Sequence, residues 1–129
     1  MSEAMNAADL EAQNGTIAVT PDTDAEALAA AIEAELNDGW TMNADLAKSI
    51  RHNAVANGDS VTIVEGWFSE KELKDINVFV ADEQAETDSA VLFDRLHDLT
   101  TMDDTAHFQR NMTDAWVPKS VIQVQVVAQ

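Results

Sequence analysis

Residues 61–82 hold the densest β-type apolar cluster ahead of the C-terminal stretch: Val61, Ile63, Val64, Trp67, Phe68, Ile76, Val78, Phe79 and Val80. Short runs rich in β-branched and aromatic residues fit a pleated, half-buried surface. The pattern predicts two strands, 61–68 and 76–82, joined by the polar link 69–75. In that link Ser69 and Glu72 have capping-box spacing, enough for one helical turn. Alternation puts Val61, Ile63, Glu65 and Trp67 on one face of the first strand, with Thr62, Val64, Gly66 and Phe68 on the other. Glu65 predicts that the first face is partly exposed. A second β-rich run, 120–128, sets Ile122, Val124 and Val126 against Val121, Gln123, Gln125 and Val127. Isolated strands are not stable in water, so this run needs the first cluster as its partner.

Helical patterns flank the strands. In residues 22–37, Leu28, Ile32 and Leu36 recur at four-residue spacing with Ala25 and Ala29 on the same side. Thr23 with Glu26 fits a capping box, and Asn37-Asp38-Gly39 is a stop signal. A shorter helix is predicted over 43–52, with Leu46, Ala47 and Ile50 inward and Lys48, Arg51 and His52 towards its C-terminal end. Residues 89–100 read as a second long helix with the stripe Val91, Leu92, Leu96 and Leu99. Residues 103–116 are ambiguous, and a helix there would carry Phe108 and Met112 inward. Residues 82–88 read as an acidic loop. Residues 1–20 read as an N-terminal arm, with a short strand at 16–20 stopped by Pro21. The expected fold is therefore α+β: one domain over 21–129, a sheet of three to four strands, and two main helices packed on it.

Twenty-four acidic residues stand against seven basic ones, a formal charge of −17. Ordinary nucleic-acid binding needs a cationic footprint, and this composition argues against sequence-specific binding of nucleic acid. Three causes of the acidity remain: a high-salt cytoplasm, mimicry of DNA phosphates, or plain acidity. The absence of cysteine excludes disulfides and thiol chemistry. The first fifteen residues carry no basic and apolar leader pattern, and no apolar run approaches bilayer length, so no membrane partner is expected.

Candidate chemistry is sparse. His97, Asp98, Asp103, Asp104 and His107 contain metal-ligand types, but His97 and Asp98 adjoin an apolar stripe and Asp103-Asp104 fits a helix N-terminus. The loop acids Asp82, Glu83, Glu86 and Asp88 lack EF-hand spacing and read as a solvated charged segment. No nucleophile elbow or phosphate loop occurs. Trp40, Trp67 and Trp116 suit core edges or interface anchors better than a ligand pocket. No catalytic residue, metal or cofactor is expected. The arm residues Met5, Leu10, Ile17 and Val19 are expected at an interface, because so little apolar surface cannot dock an arm unaided. Val121, Gln123, Gln125 and Val127 of the last strand are expected there too, as a strand edge recruits other strands.

The bias towards Ala, Asp, Glu, Thr and Val with little Lys resembles that of haloarchaeal proteins. The order of elements at 22–37, 61–82, 89–100 and 120–128, with the polar arm, resembles the small tail-terminator and tail-completion proteins of long-tailed viruses. The resemblance covers most of the chain and is one of pattern. It implies a non-enzymatic virion subunit in a hexameric ring, meeting neck and tail-tube proteins, and assembled in the host cytoplasm. It also implies that the acidic loop Asp82, Glu83, Glu86 and Asp88 faces the channel. The stretch 103–116 departs from the simplest pattern. The other classes weighed are an acidic DNA mimic and a small metal-dependent hydrolase.

Overall fold

The computed structural model describes residues 15–36, 42–57, 60–73, 76–99 and 111–129. In chain order the elements are β1 (Thr16–Val19), α1 (Ala25–Glu33), α2 (Ala44–Asn57), β2 (Val61–Val64), α3 (Gly66–Glu72), β3 (Val78–Glu86), β4 (Ala90–Asp98), β5 (Asn111–Pro118) and β6 (Ile122–Ala128). A 3-10 turn, Lys119–Val121, leads into β6. The strands form a mixed sheet in the order β1-β6-β2-β3-β4-β5. β1 runs parallel to β6, and the other neighbours are antiparallel.

The class is α+β, but the expected three to four strands under two main helices must be corrected to six strands and three helices among the described residues. The largest change is within the stretch 89–100, where Ala90–Asp98 is strand β4 and not a helix. The described part of 103–116 is strand as well. The first strand of the central cluster stops at Val64. Glu65 donates its N–H to the Val121 carbonyl (2.9 Å) and becomes the N-cap of α3, so Trp67 and Phe68 are helical. The acidic stretch 82–86 continues β3 and pairs with β4. The hairpin closes at 87–90, where the Thr87 hydroxyl accepts the Ala90 N–H at 3.0 Å.

Two cores lie on opposite faces of the sheet. Under α1 and α2, Leu28, Ile32, Leu46 and Ile50 meet Ile17, Val19, Val61, Ile63, Val78, Val80, Val124 and Val126. Among the described side chains, none from β4 or β5 belongs to this core. On the other face, Phe68 and Leu73 at α3 meet Phe79, Val91, Phe93, Leu96, Val117 and Val121. β2 lies between the two cores, so all four of its residues are buried. The Phe79 and Phe93 rings meet edge to face, 5.2 Å apart. Full burial of a side chain such as Leu28 or Ile32 contributes about 1.5–3 kcal/mol.

Local signals explain the helix starts. Asp24, not Thr23, caps α1, its carboxylate accepting the Ala27 N–H at 2.9 Å. The Thr23 hydroxyl is already used, accepting the Thr20 N–H at 2.9 Å to close the turn after β1. Asn43 caps α2 by accepting the Leu46 N–H at 2.7 Å. α2 runs to Asn57, past the expected end at 52, because buried Ala54 extends its inner face and Val55 packs at the core's margin.

Candidate functional site

The alternation of β1 sends Ile17 and Val19 into the helix-side core, 1% and 0% exposed. Both side chains pack within their own chain. Val121 is likewise buried, on the α3 side. Met5 and Leu10 lie outside the described residues. Gln123, Gln125 and Val127 are half-buried on the face opposite α1 and α2, where the Gln125 amide donates to the Thr62 hydroxyl at 3.0 Å. Both edges of β6 are taken, by β1 and by β2. The sheet's terminal strands are β1 and β5, and their outer edges pair with no strand among the described residues.

The acids expected in one channel loop fall on two faces. Glu83 and Glu86 share the α3 side and line a hollow of about 220 Å³ with Gly15, Val91, Lys119, Ile122 and Gln125. Lys119 reaches the Glu86 carboxylate at 2.5 Å, an exposed pair worth at most about 1 kcal/mol. Asp82 lies on the opposite side, and Asp88 sits exposed in the hairpin turn.

Asp82 belongs to an arrangement that the sequence did not display. It stands directly opposite Asp94, which stands opposite Asp114, giving three carboxylates in a row across β3, β4 and β5. The next row towards the hairpin turn is Ala85, Leu92 and Trp116. Trp116 is 51% exposed and Leu92 is half-buried. These residues share the helix-bearing face of the sheet, beyond the part that α1 and α2 cover. The signal was present in the alternation of Asp114, Trp116 and Pro118 with Ala115 and Val117. It was hidden because 89–100, the partner strand, reads as helix.

Among the described cations, Arg95 lies beside the acid row, 3.7 Å from Asp94, Lys119 pairs with Glu86, and Lys48 and Arg51 stand on α2 next to His52. Lys48, Arg51 and His52 fall one helical turn apart along the outer flank of α2, followed by Val55. Arg51 is anchored, its guanidinium donating to the Thr23 carbonyl at 2.5 Å. Pro21, Arg51, His52, Val55 and Ala56 surround a hollow of about 150 Å³.

Of the metal-ligand types, Asp98 is fully buried on the α3 side while His97 is exposed on the other. Strand alternation thus separates these two neighbours. Asp103, Asp104, His107 and Trp40 lie outside the described residues. Among the described residues no three His, Asp or Glu side chains are grouped to hold a metal ion. Trp67 is 59% exposed, and its indole N–H donates to Glu65 at 2.9 Å. Among the described residues no helix is long and apolar enough to cross a membrane. The chain matches no family model, no curated protein and no solved structure.

Proposed function

We propose that this protein is a non-enzymatic structural subunit of a virion that works by assembling with copies of itself in a ring of the tail-terminator or neck type. The observation that carries the assembly reading is the pair of terminal strands, β1 and β5, whose outer edges find no strand among the described residues. An unpaired edge presents a row of backbone donors and acceptors, and adding a neighbouring strand satisfies them. β5 is eight residues long, and only its last residue, Pro118, lacks a donor. The projecting β3–β4 hairpin is acidic on both faces, which suits a ring whose channel lets DNA pass by repelling it.

The placement in a virion rests on the resemblance of element order together with the halophile-like composition. Helix α1, strands β2 and β3, and the last strand β6 support that order; α3 between β2 and β3, and Ala90–Asp98, a strand in place of the expected helix, do not. The row of acids across β3–β5 is three long, with Ala85, Leu92 and Trp116 on one side and Val80, His97 and Asn111 on the other. Such a mixed surface suits a protein partner better than a phosphate-mimicking stripe.

Native mass in molar salt, by light scattering or sedimentation, tests the reading. The expected result is a closed multiple of the 14.0 kDa chain. A monomer that persists at high concentration, with neck and tail-tube proteins present, refutes it.

A further inference from the structure

We infer that the β4–β5 face carrying Leu92, Asp94, Asp114 and Trp116 docks head to tail on the α2 flank of a second copy, formed by Lys48, Arg51, His52 and Val55. This rests on the assembly reading above and names its interface.

Among the described residues the β4–β5 face is left open, since no described side chain of β4 or β5 joins the core under α1 and α2. Trp116 with Leu92 beside it supplies an apolar anchor, of the residue type that dominates interface energetics. The row Asp82, Asp94 and Asp114 supplies the polarity. Like charges directly opposite one another in a sheet are destabilising, and the row's one near cation among the described residues, Arg95, is exposed and only 3.7 Å from Asp94, so a further cation relieves repulsion that remains in the subunit.

The second copy offers the complement. Lys48, Arg51 and His52 lie on one flank of α2, and the hollow beside them is lined by Pro21, Val55 and Ala56. An indole entering this hollow meets aliphatic carbon and the Arg51 guanidinium, a cation–π arrangement. The Thr23 carbonyl already holds that guanidinium, so little side-chain freedom is lost on docking. Asp45 on α2, and Asp22 and Asp24 beside Pro21, are exposed near the same flank, and Lys48, Arg51 and His52 stand among them. With only seven lysines and arginines in the chain, such a flank is a scarce match for the acid row.

The two surfaces are different, so the contact is heterologous, and repeating it closes a ring when the rotation permits. A two-fold contact through the β4–β5 face alone would set one acid row near another, with only Arg95 of each copy, already 3.7 Å from Asp94, as described countercharge. Molar salt screens beyond about 3 Å, which weakens steering but leaves contact pairs and indole burial in place.

The chain has no cysteine, so single thiols report cleanly. Asp114→Cys and His52→Cys, both at exposed positions, are made separately and together and treated with a short thiol-specific crosslinker in molar salt. Mixing the two single variants should give covalent dimers, and the double variant a ladder of multimers. Trp116→Ala should raise the concentration at half-assembly about tenfold or more while leaving the far-UV spectrum unchanged. Lys48→Asp should weaken assembly, and added Asp114→Lys in the same chain should restore it. Crosslinking of Asp114→Cys to itself, or assembly indifferent to Trp116→Ala with no cross-variant product, overturns this interface and leaves the assembly reading standing. A monomeric native mass for the unmodified chain removes both.

Discussion

Phe93 and Leu92 are adjacent in sequence and have opposite fates in the fold. Phe93 is 0% exposed and packs edge to face on Phe79, whereas Leu92 is half-buried on the other side of the sheet. Phe93→Ala removes the burial of a large side chain, worth about 1.5–3 kcal/mol, and an aromatic pair worth about 0.5–1.5 kcal/mol more. A residual cavity adds to this, and the sum falls in the range of about 3–5 kcal/mol found for such truncations. Leu92→Ala removes part of a half-exposed side chain and should cost about 1 kcal/mol or less. A domain is stable by about 5–15 kcal/mol, so the first change takes about a fifth or more and the second is minor. Urea titration in molar salt, at a protein concentration where the native mass is that of the monomer, measures both. The midpoint should fall sharply for Phe93→Ala with little change in slope. If 89–100 were a helix with the stripe Val91, Leu92, Leu96 and Leu99, the order would invert. A Leu92→Ala cost equal to or above that of Phe93→Ala therefore refutes the strand assignment.

Asp24→Ala should destabilise by about 0.5–2 kcal/mol through loss of the α1 cap, whereas Glu26→Gln should be near neutral; equal effects in denaturant titration would contradict Asp24 as the cap. Arg95 has φ of +55°, a left-handed conformation that costs a side chain about 1–2 kcal/mol, so Arg95→Gly should raise the melting temperature despite removing an exposed 3.7 Å contact with Asp94. A charge of −17 should make the fold salt-dependent: melting at 0.01 M salt, where the Debye length is about 30 Å, should fall well below melting at 1 M, and an unchanged midpoint would count against adaptation to salt.

What the sequence revealed divides along physical lines. α1 and α2 were legible because Leu28, Ala29 and Ile32, and Leu46, Ala47 and Ile50, fall at i, i+1 and i+4, a spacing that shares one face of a helix but would straddle both faces of a strand. β6 was legible because Val124 and Val126 alternate with Gln123 and Gln125. β4 was illegible because of a bulge. Val80 faces His97 and Asp82 faces Asp94, so Arg95 and Leu96 together stand opposite Ala81. The extra residue returns Leu96 to the side of Phe93, which breaks the period of two and leaves a spacing that mimics a helix. α3 was hidden for a different reason. Its start depends on a bond from Glu65 to Val121, more than fifty positions away, and its N-cap makes no side-chain bond that composition would announce. The Trp116 surface was missed as a consequence of the β4 error. Among the interface residues expected from sequence, Ile17 and Val19 read as arm residues because the parallel pairing of β1 with β6 is not visible locally.

That parallel pairing also sets an order of events during synthesis. β6 lies between β1 and β2, yet the ribosome makes it after both. The hairpins of β2 to β5 can zip as they emerge, since each strand meets a neighbour from its own vicinity. β1 has to wait, because its partner is more than a hundred positions downstream. Until β6 arrives, β1 and β2 flank an empty slot, and Ile17, Val19, Val61 and Ile63 lack Val124 and Val126. Closing so long a loop is slow, and an unfilled slot with two strand edges invites a strand from another nascent chain. A chain stalled before residue 122 would keep the α3-side core largely intact while exposing the other, making it a ready client for chaperones that bind apolar segments.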